Sequence, residues 1–97
     1  MVSVNAIMVE VSDEIDRAMF KFPLFPTDPL HALAVLGGKY GELNKAVLQG
    51  VYQPDKVTPE QIREEAIQTA AMAVRFIASL DQYLYLKSFQ HVDPLHP

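Results

Sequence analysis

The stretch Thr58 to Leu80, TPEQIREEAIQTAAMAVRFIASL, decides the fold. Thr58 and Gln61 have the spacing of a capping box, and Pro59 between them suits the first helical position, where a missing N–H removes nothing the helix uses. Downstream, Ile62, Ala66, Ile67, Ala70, Ala71, Ala73, Val74, Phe76, Ile77, Ala78 and Leu80 cover most of a helical surface. A helix apolar on more than one side is central and is touched from several directions. The periodicity can run on through Asp81, Tyr83, Leu84 and Leu86 before Pro94 and Pro97 end regular structure.

Two further helices precede it. From Val4 the apolar residues Ile7, Met8, Val11, Ile15, Ala18, Met19 and Phe22 recur at i, i+3, i+4, i+7 spacing, which predicts a first helix over about residues 4–21. Ser3 is its N-cap, and Pro23 and Pro26 enforce its end, leaving Phe22 to Asp28 as a loop. Asp28 followed by Pro29 starts a second helix, which continues through Leu43, Ala46, Val47 and Leu48 to Gly50. Gly37, Gly38 and Gly41 each cost about 1 kcal/mol relative to alanine inside a helix. Close packing by a neighbour is a common reason to keep them there, and a kink at Gly37-Gly38 is the alternative. Tyr52 to Val57, with Pro54, is a turn.

With 97 residues, 49% of them hydrophobic and 21% charged, the chain suits one all-α domain over residues 1–90 and a short tail over 91–97. Three helices bury little unless a second copy covers the third, so a homo-oligomer, most simply a dimer, is expected, the alternative being a monomer whose tail folds back over the third helix. Eight basic against twelve acidic residues give a net charge of −4, which argues against binding duplex DNA. The chain has no cysteine and no run of 18 apolar residues, and its first residues carry acid where a secretory signal carries lysine or arginine. These features point to a cytoplasmic protein with no membrane partner.

The sparse polar residues of the second and third helices fall in stripes: Gly38, Lys39, Glu42, Lys45 and Gln49 on one, and Gln61, Glu64, Glu65, Gln68, Met72 and Arg75 on the other. If the two helices pair antiparallel, Glu42 approaches Glu64 and Glu65, with Lys39, Lys45 and Arg75 flanking. Clustered carboxylates can hold Mg²⁺, a hard cation that shares oxygen ligands with substrate phosphates, and the same stripes also suit a solvated face with ordinary ion pairs. His31, His91 and His96 lack the spacing of a helical metal pair. Among the aromatics, Phe22 and Phe25 are the candidates for stacking on a nucleobase, against the commoner role of closing a core.

The segment VLGGKYGELNKAVLQG (35–50), a turn, and then TPEQIREEAIQTAAMAVRFIASL resemble MazG-like members of the all-α nucleoside triphosphate pyrophosphohydrolase superfamily. In those proteins an E-E-x-G-E helix precedes one reading E-E-L-x-D or E-E-L-x-Q and then A-A-x-A. EIDRAMFK (14–21) resembles, less specifically, the first helix of small phage and bacterial members. The resemblance implies a MazG-like helical bundle completed by oligomerisation, in which acidic side chains hold Mg²⁺ ions that activate water to split a nucleoside triphosphate into monophosphate and pyrophosphate.

Carried over residue by residue, the E-x-x-E element falls on Lys39 to Glu42 and the E-x-x-D element on Glu65 to Gln68. Glu42 and Glu65 are then the candidate metal ligands, and Lys39, Glu42, Lys45, Glu64, Glu65, Gln68 and Arg75 the candidate nucleotide-binding set. No catalytic residue is assigned. A lysine in the ligand row repels Mg²⁺ by a few kcal/mol at about 4 Å, even at an effective dielectric near 20. The expectation is a protein that binds a nucleotide or nucleotide-derived signal with weak Mg²⁺ and impaired hydrolysis. The alternatives are an active pyrophosphohydrolase that recruits Glu64, Glu10, Asp13 or Glu14 as the missing ligand, and a regulatory module that joins a partner through its apolar third helix.

Overall fold

A computed structural model of the protein describes residues 2–84. Three helices account for most of it: α1 (Val4–Lys21), α2 (Pro29–Tyr52) and α3 (Pro59–Ala78). Short 3-10 turns follow α2 at Pro54–Lys56 and α3 at Leu80–Gln82. Among the described residues there is no strand, and no helix is long and apolar enough to cross a membrane. The tail over 91–97, the histidines His91 and His96, and Leu86 lie outside the described residues.

Each helix start is made by the side chain its sequence announces. Ser3 Oγ accepts from the Ala6 amide at 3.1 Å, and Asp28 Oδ1 accepts from the Leu30 amide at 2.9 Å. At α3 the capping box is complete: the Gln61 amide donates to Thr58 Oγ1 at 3.1 Å, and the Thr58 amide donates to Gln61 Oε1 at 2.8 Å. These bonds satisfy amides that have no carbonyl partner inside the helix.

Two ends differ from the expected ones. α2 passes Gly50 and stops at Tyr52, where Pro54 holds Gln53 out of the helical region. α3 stops at Ala78, although apolar spacing continues beyond it. The chain turns there and brings Tyr83 back to full burial, with its ring 5.2 Å from that of Phe76 and its hydroxyl donating to the Phe76 carbonyl at 3.0 Å. Enclosing a large aromatic ring outweighs a further helical turn that would carry it into solvent. The Leu84 amide then donates to the Thr27 carbonyl at 3.0 Å, tying this return to the loop before α2.

α3 packs on both α1 and α2, which make no close backbone approach to each other, so the third helix is central as its composition implies. α2 and α3 run antiparallel and close. The Thr69 hydroxyl lies within hydrogen-bond distance of both the Lys39 and Glu65 carbonyls, and Ile62 Cδ1 would stand 3.0 Å from a Cβ placed on Gly50. Gly37, Gly38 and Gly41 do not serve that packing, since a Cβ on any of them meets nothing within 4 Å. The apolar surplus also lies elsewhere than expected. α3 exposes Val74 and Ile77, whereas α2 exposes seven large apolar side chains.

Thr58→Ala removes one half of the capping box at the start of the helix that carries both others. We expect a loss of about 1 kcal/mol, seen as a melting temperature lower by roughly 4–8 °C with an unchanged far-UV circular dichroism spectrum at 20 °C.

Candidate functional site

The polar stripes of α2 and α3 do face each other. Lys39 stands at the centre, its Nζ donating to Gln68 Oε1 at 3.3 Å and lying 3.7 Å from Glu42 Oε2. Gln68 in turn donates from Nε2 to Glu64 Oε1 at 3.4 Å. Glu65 sits among these groups with its Oε2 buried and without a hydrogen-bond partner. Burial first, and then the negative charge and close approach of Glu42, hold the Glu65 carboxyl above the ordinary carboxylate range, while Lys39 pulls in the opposite direction.

Lys39 divides the surface into two concavities. On the acidic side, Glu42, Glu64 and Glu65 line a space of about 390 Å³ together with Lys45, Lys56 and Gln61. On the other side, Arg17, Lys21, Lys39 and Arg75 line a cavity of about 280 Å³ with Glu14, Gln68 and Phe22. Of the expected set, the fold therefore brings Glu42, Lys45, Glu64 and Glu65 to one side. Lys39 and Gln68 form the divide, and Arg75 stands across it.

Arg75 is 8% exposed and already engaged: one guanidinium nitrogen donates to the Phe22 carbonyl at 2.7 Å, and its Cζ lies 5.1 Å over the Phe25 ring. Those contacts fix the loop between α1 and α2 and leave Phe25 beneath a cation. Phe22 is more open, with the Lys21 ammonium 5.5 Å from its ring centroid.

The residues not foreseen are Arg17 and Lys21. With Glu14 and Ala18 they occupy one stripe of α1 at i, i+3, i+4, i+7, and that spacing was the available signal. Arg17 Nε and Nη2 both donate to Glu14, at 2.8 and 2.6 Å. Glu10 is paired with Arg63 of α3 through both carboxylate oxygens, which lowers the pKa of Glu10. Two of the α1 carboxylates that could replace a lost metal ligand are thus each spanned by an arginine.

The donor set does not fit a tightly held Mg²⁺. The ammonium of Lys39 lies against Glu42 and Gln68, Glu65 resists ionisation, and no three Asp, Glu, His or Cys side chains converge among the described residues. Comparison of the chain with known protein families, curated proteins and solved structures finds no match.

Because the folded state raises the Glu65 pKa, this group destabilises the protein as pH climbs above the value it has in the unfolded chain, and has no such effect where both states are protonated. Glu65→Gln keeps the shape and removes the charge. We expect it to raise the melting temperature by a few degrees at pH 7, with the gain shrinking toward zero as pH falls to about 4.

Proposed function

We propose that the protein binds a nucleotide or nucleotide-derived signal, with its phosphates in the basic cavity, and that any Mg²⁺-dependent hydrolysis is impaired. The observation that carries this reading is the position of Lys39. It bonds to Gln68 and flanks Glu42, and it also lines a cavity where four cations face one carboxylate. An ammonium among guanidinium groups pairs with phosphate oxygens directly, without a metal between them.

The cavity's size narrows the reading. About 280 Å³ falls below the volume that encloses a drug-sized molecule, so it suits a di- or triphosphate group with the nucleoside outside. Phe22, on the rim, offers a ring face to a base, and Gln68 offers hydrogen bonds. Arg75 acts mainly by holding the Phe22 carbonyl and so the rim itself. On the acidic side, the two acids of the ligand row, Glu42 and Glu65, with a lysine beside them are a poor substitute for four acids. The loss of one group that stabilises transition-state charge commonly removes about 10² to 10³ in rate. The likeness of residues 35–80 to MazG-like pyrophosphohydrolases supports the nucleotide class, and the lysine in the ligand row supports binding over cleavage.

The test is a thermal-shift series with nucleoside triphosphates, cyclic and ADP-ribose-type nucleotides and inorganic pyrophosphate, with and without Mg²⁺, beside a pyrophosphate-release assay. We expect a metal-independent rise in melting temperature and release at background. Lys39→Ala and Arg17→Ala should each weaken binding about tenfold or more, whereas Lys56→Ala, on the acidic side, should leave it unchanged. Lys39→Glu should add a Mg²⁺-dependent shift. Robust Mg²⁺-dependent turnover by the natural chain would overturn the impaired reading, and no shift from any of these anions would overturn the binding one.

A further inference from the structure

α2 has two apolar sides, and the chain itself covers one of them. Ala32 and Ala46 are buried, and Lys39 meets Gln68, on the side facing α3. On the opposite side Leu30, Leu33, Tyr40, Leu48 and Val51 are exposed, at 73% for Leu30 and 66% for Val51. Gly37 and Gly41 lie along the middle of this stripe with open space above them. The charged residues of the helix, Lys39, Glu42 and Lys45, all fall outside it at 100° per residue. An apolar stripe on a surface helix ordinarily faces a packing partner.

The order of residues along this stripe states what covers it. Positions 30, 33, 37, 40, 41, 44, 48 and 51 read the same from either end, with spacings of 3, 4, 3, 1, 3, 4 and 3. Two such helices laid antiparallel about a two-fold axis between Tyr40 and Gly41 set Leu30 against Val51, Leu33 against Leu48, Gly37 against Asn44 and Tyr40 against Gly41. Each aromatic ring then lies over a glycine of the other copy, and the glycines let the backbones approach closely. The lone amide, Asn44, faces a glycine backbone. An isologous interface requires this self-complementarity, and an unrelated partner does not.

From these observations we infer that the outer face of α2 packs antiparallel on α2 of a second copy of this chain, in a two-fold dimer. The stripe's large apolar residues, Leu30, Leu33, Tyr40, Leu48 and Val51, run the length of α2 and are each at least 49% exposed, the kind of continuous apolar face that forms the centre of a standard interface, to which each partner brings about 800 Å². A membrane surface suits the face poorly, because helices that lie in a lipid interface are rich in basic side chains, whereas α2 has two lysines, Lys39 against α3 and Lys45 at the border of the stripe, and none in its last turn. α1 also exposes Val4, Met8, Val9 and Phe20, but Asp13, Asp16 and Arg17 interrupt that surface. The inference is independent of the anion-binding reading, since Lys39 lies on the far side of α2.

The experiment measures the mass of the full chain by light scattering at about 50 µM, a concentration well above the dissociation constant expected for an interface of this size. The expected mass is twice 10.9 kDa. Leu33→Lys and Leu48→Glu are each expected to give monomers with unchanged circular dichroism, while the double variant, which sets lysine against glutamate across the axis, regains the dimer. Gly41→Arg, a substitution into open space within the chain, should shift the dissociation constant by at least a hundredfold and leave the fold intact. A monomeric natural chain would overturn the inference, leaving another partner or the C-terminal residues as occupant. So would a dimer that survives Gly41→Arg, or single charge variants that the double variant does not rescue.

Discussion

One helix supplies the packing surface for two others that do not approach each other, and the molecule takes its shape from that constraint. α3 has to be small enough along its length for close contact, as at the buried Ala71, while the buried Arg75 reaches out to hold the Phe22 carbonyl. Among the described residues, the buried apolar side chains are few and mostly small: Val11, Ala32, Ala46, Ala71 and Tyr83. Close contact between small side chains brings backbones together, as at Thr69 and Lys39, but removes little apolar area from water. Because α1 and α2 diverge over α3, the gap between them is a cavity, and the long side chains that reach across it are charged. The basic cavity is therefore a consequence of the same arrangement that thins the core.

The helices were legible because their ends are written locally. Ser3, Asp28 with Pro29, and Thr58 with Gln61 each announce a cap within four residues, and every one of them makes its bond. The end of α3 was not legible. Apolar spacing continues past Ala78 without glycine or proline, and only the space between α3 and the 22–28 loop decides that Tyr83 turns inward. What the three glycines pack against is not legible for a related reason. Their tolerance suggested a neighbour, and within the chain no neighbour is there. The surplus apolar surface was assigned to α3 from composition, yet α3 has two partners and α2 has one.

At the site, facing of the α2 and α3 stripes follows from antiparallel pairing, which a short connection makes the default. What periodicity could not give is the axial register: with Lys39 against Gln68, Arg75 lies about two turns further along α3, in the direction away from Glu42. Nor could it give the third wall. Arg17 and Lys21 come from α1, separated from the motif by the whole of α2, and their contribution depends on tertiary approach. The Glu10–Arg63 pair is equally invisible, because its partners lie on different helices, whereas Glu14 and Arg17 have the i, i+3 spacing of a helical ion pair. Their weight is in orienting side chains rather than in stability, because exposed ion pairs add little.

Lys39 gives the proposed reading its direction, for a reason that lies in charge and position together. A divalent cation and an ammonium compete for the same row of oxygens, and a lysine tethered by its own backbone is present at any metal concentration. Its single charge cannot polarise a phosphoryl group as a Lewis acid does, so what it offers is attraction without activation. Burial and the neighbouring Glu42 raise the pKa of Glu65, so this carboxyl gives up its proton less readily than a free one. The basic cavity across the divide loses nothing by this, because its cations are fixed and the one carboxylate there is already satisfied by Arg17. In the proposed reading, a phosphate group entering it would exchange water for charged donors, and the same lysine that would weaken a metal's hold would strengthen an anion's.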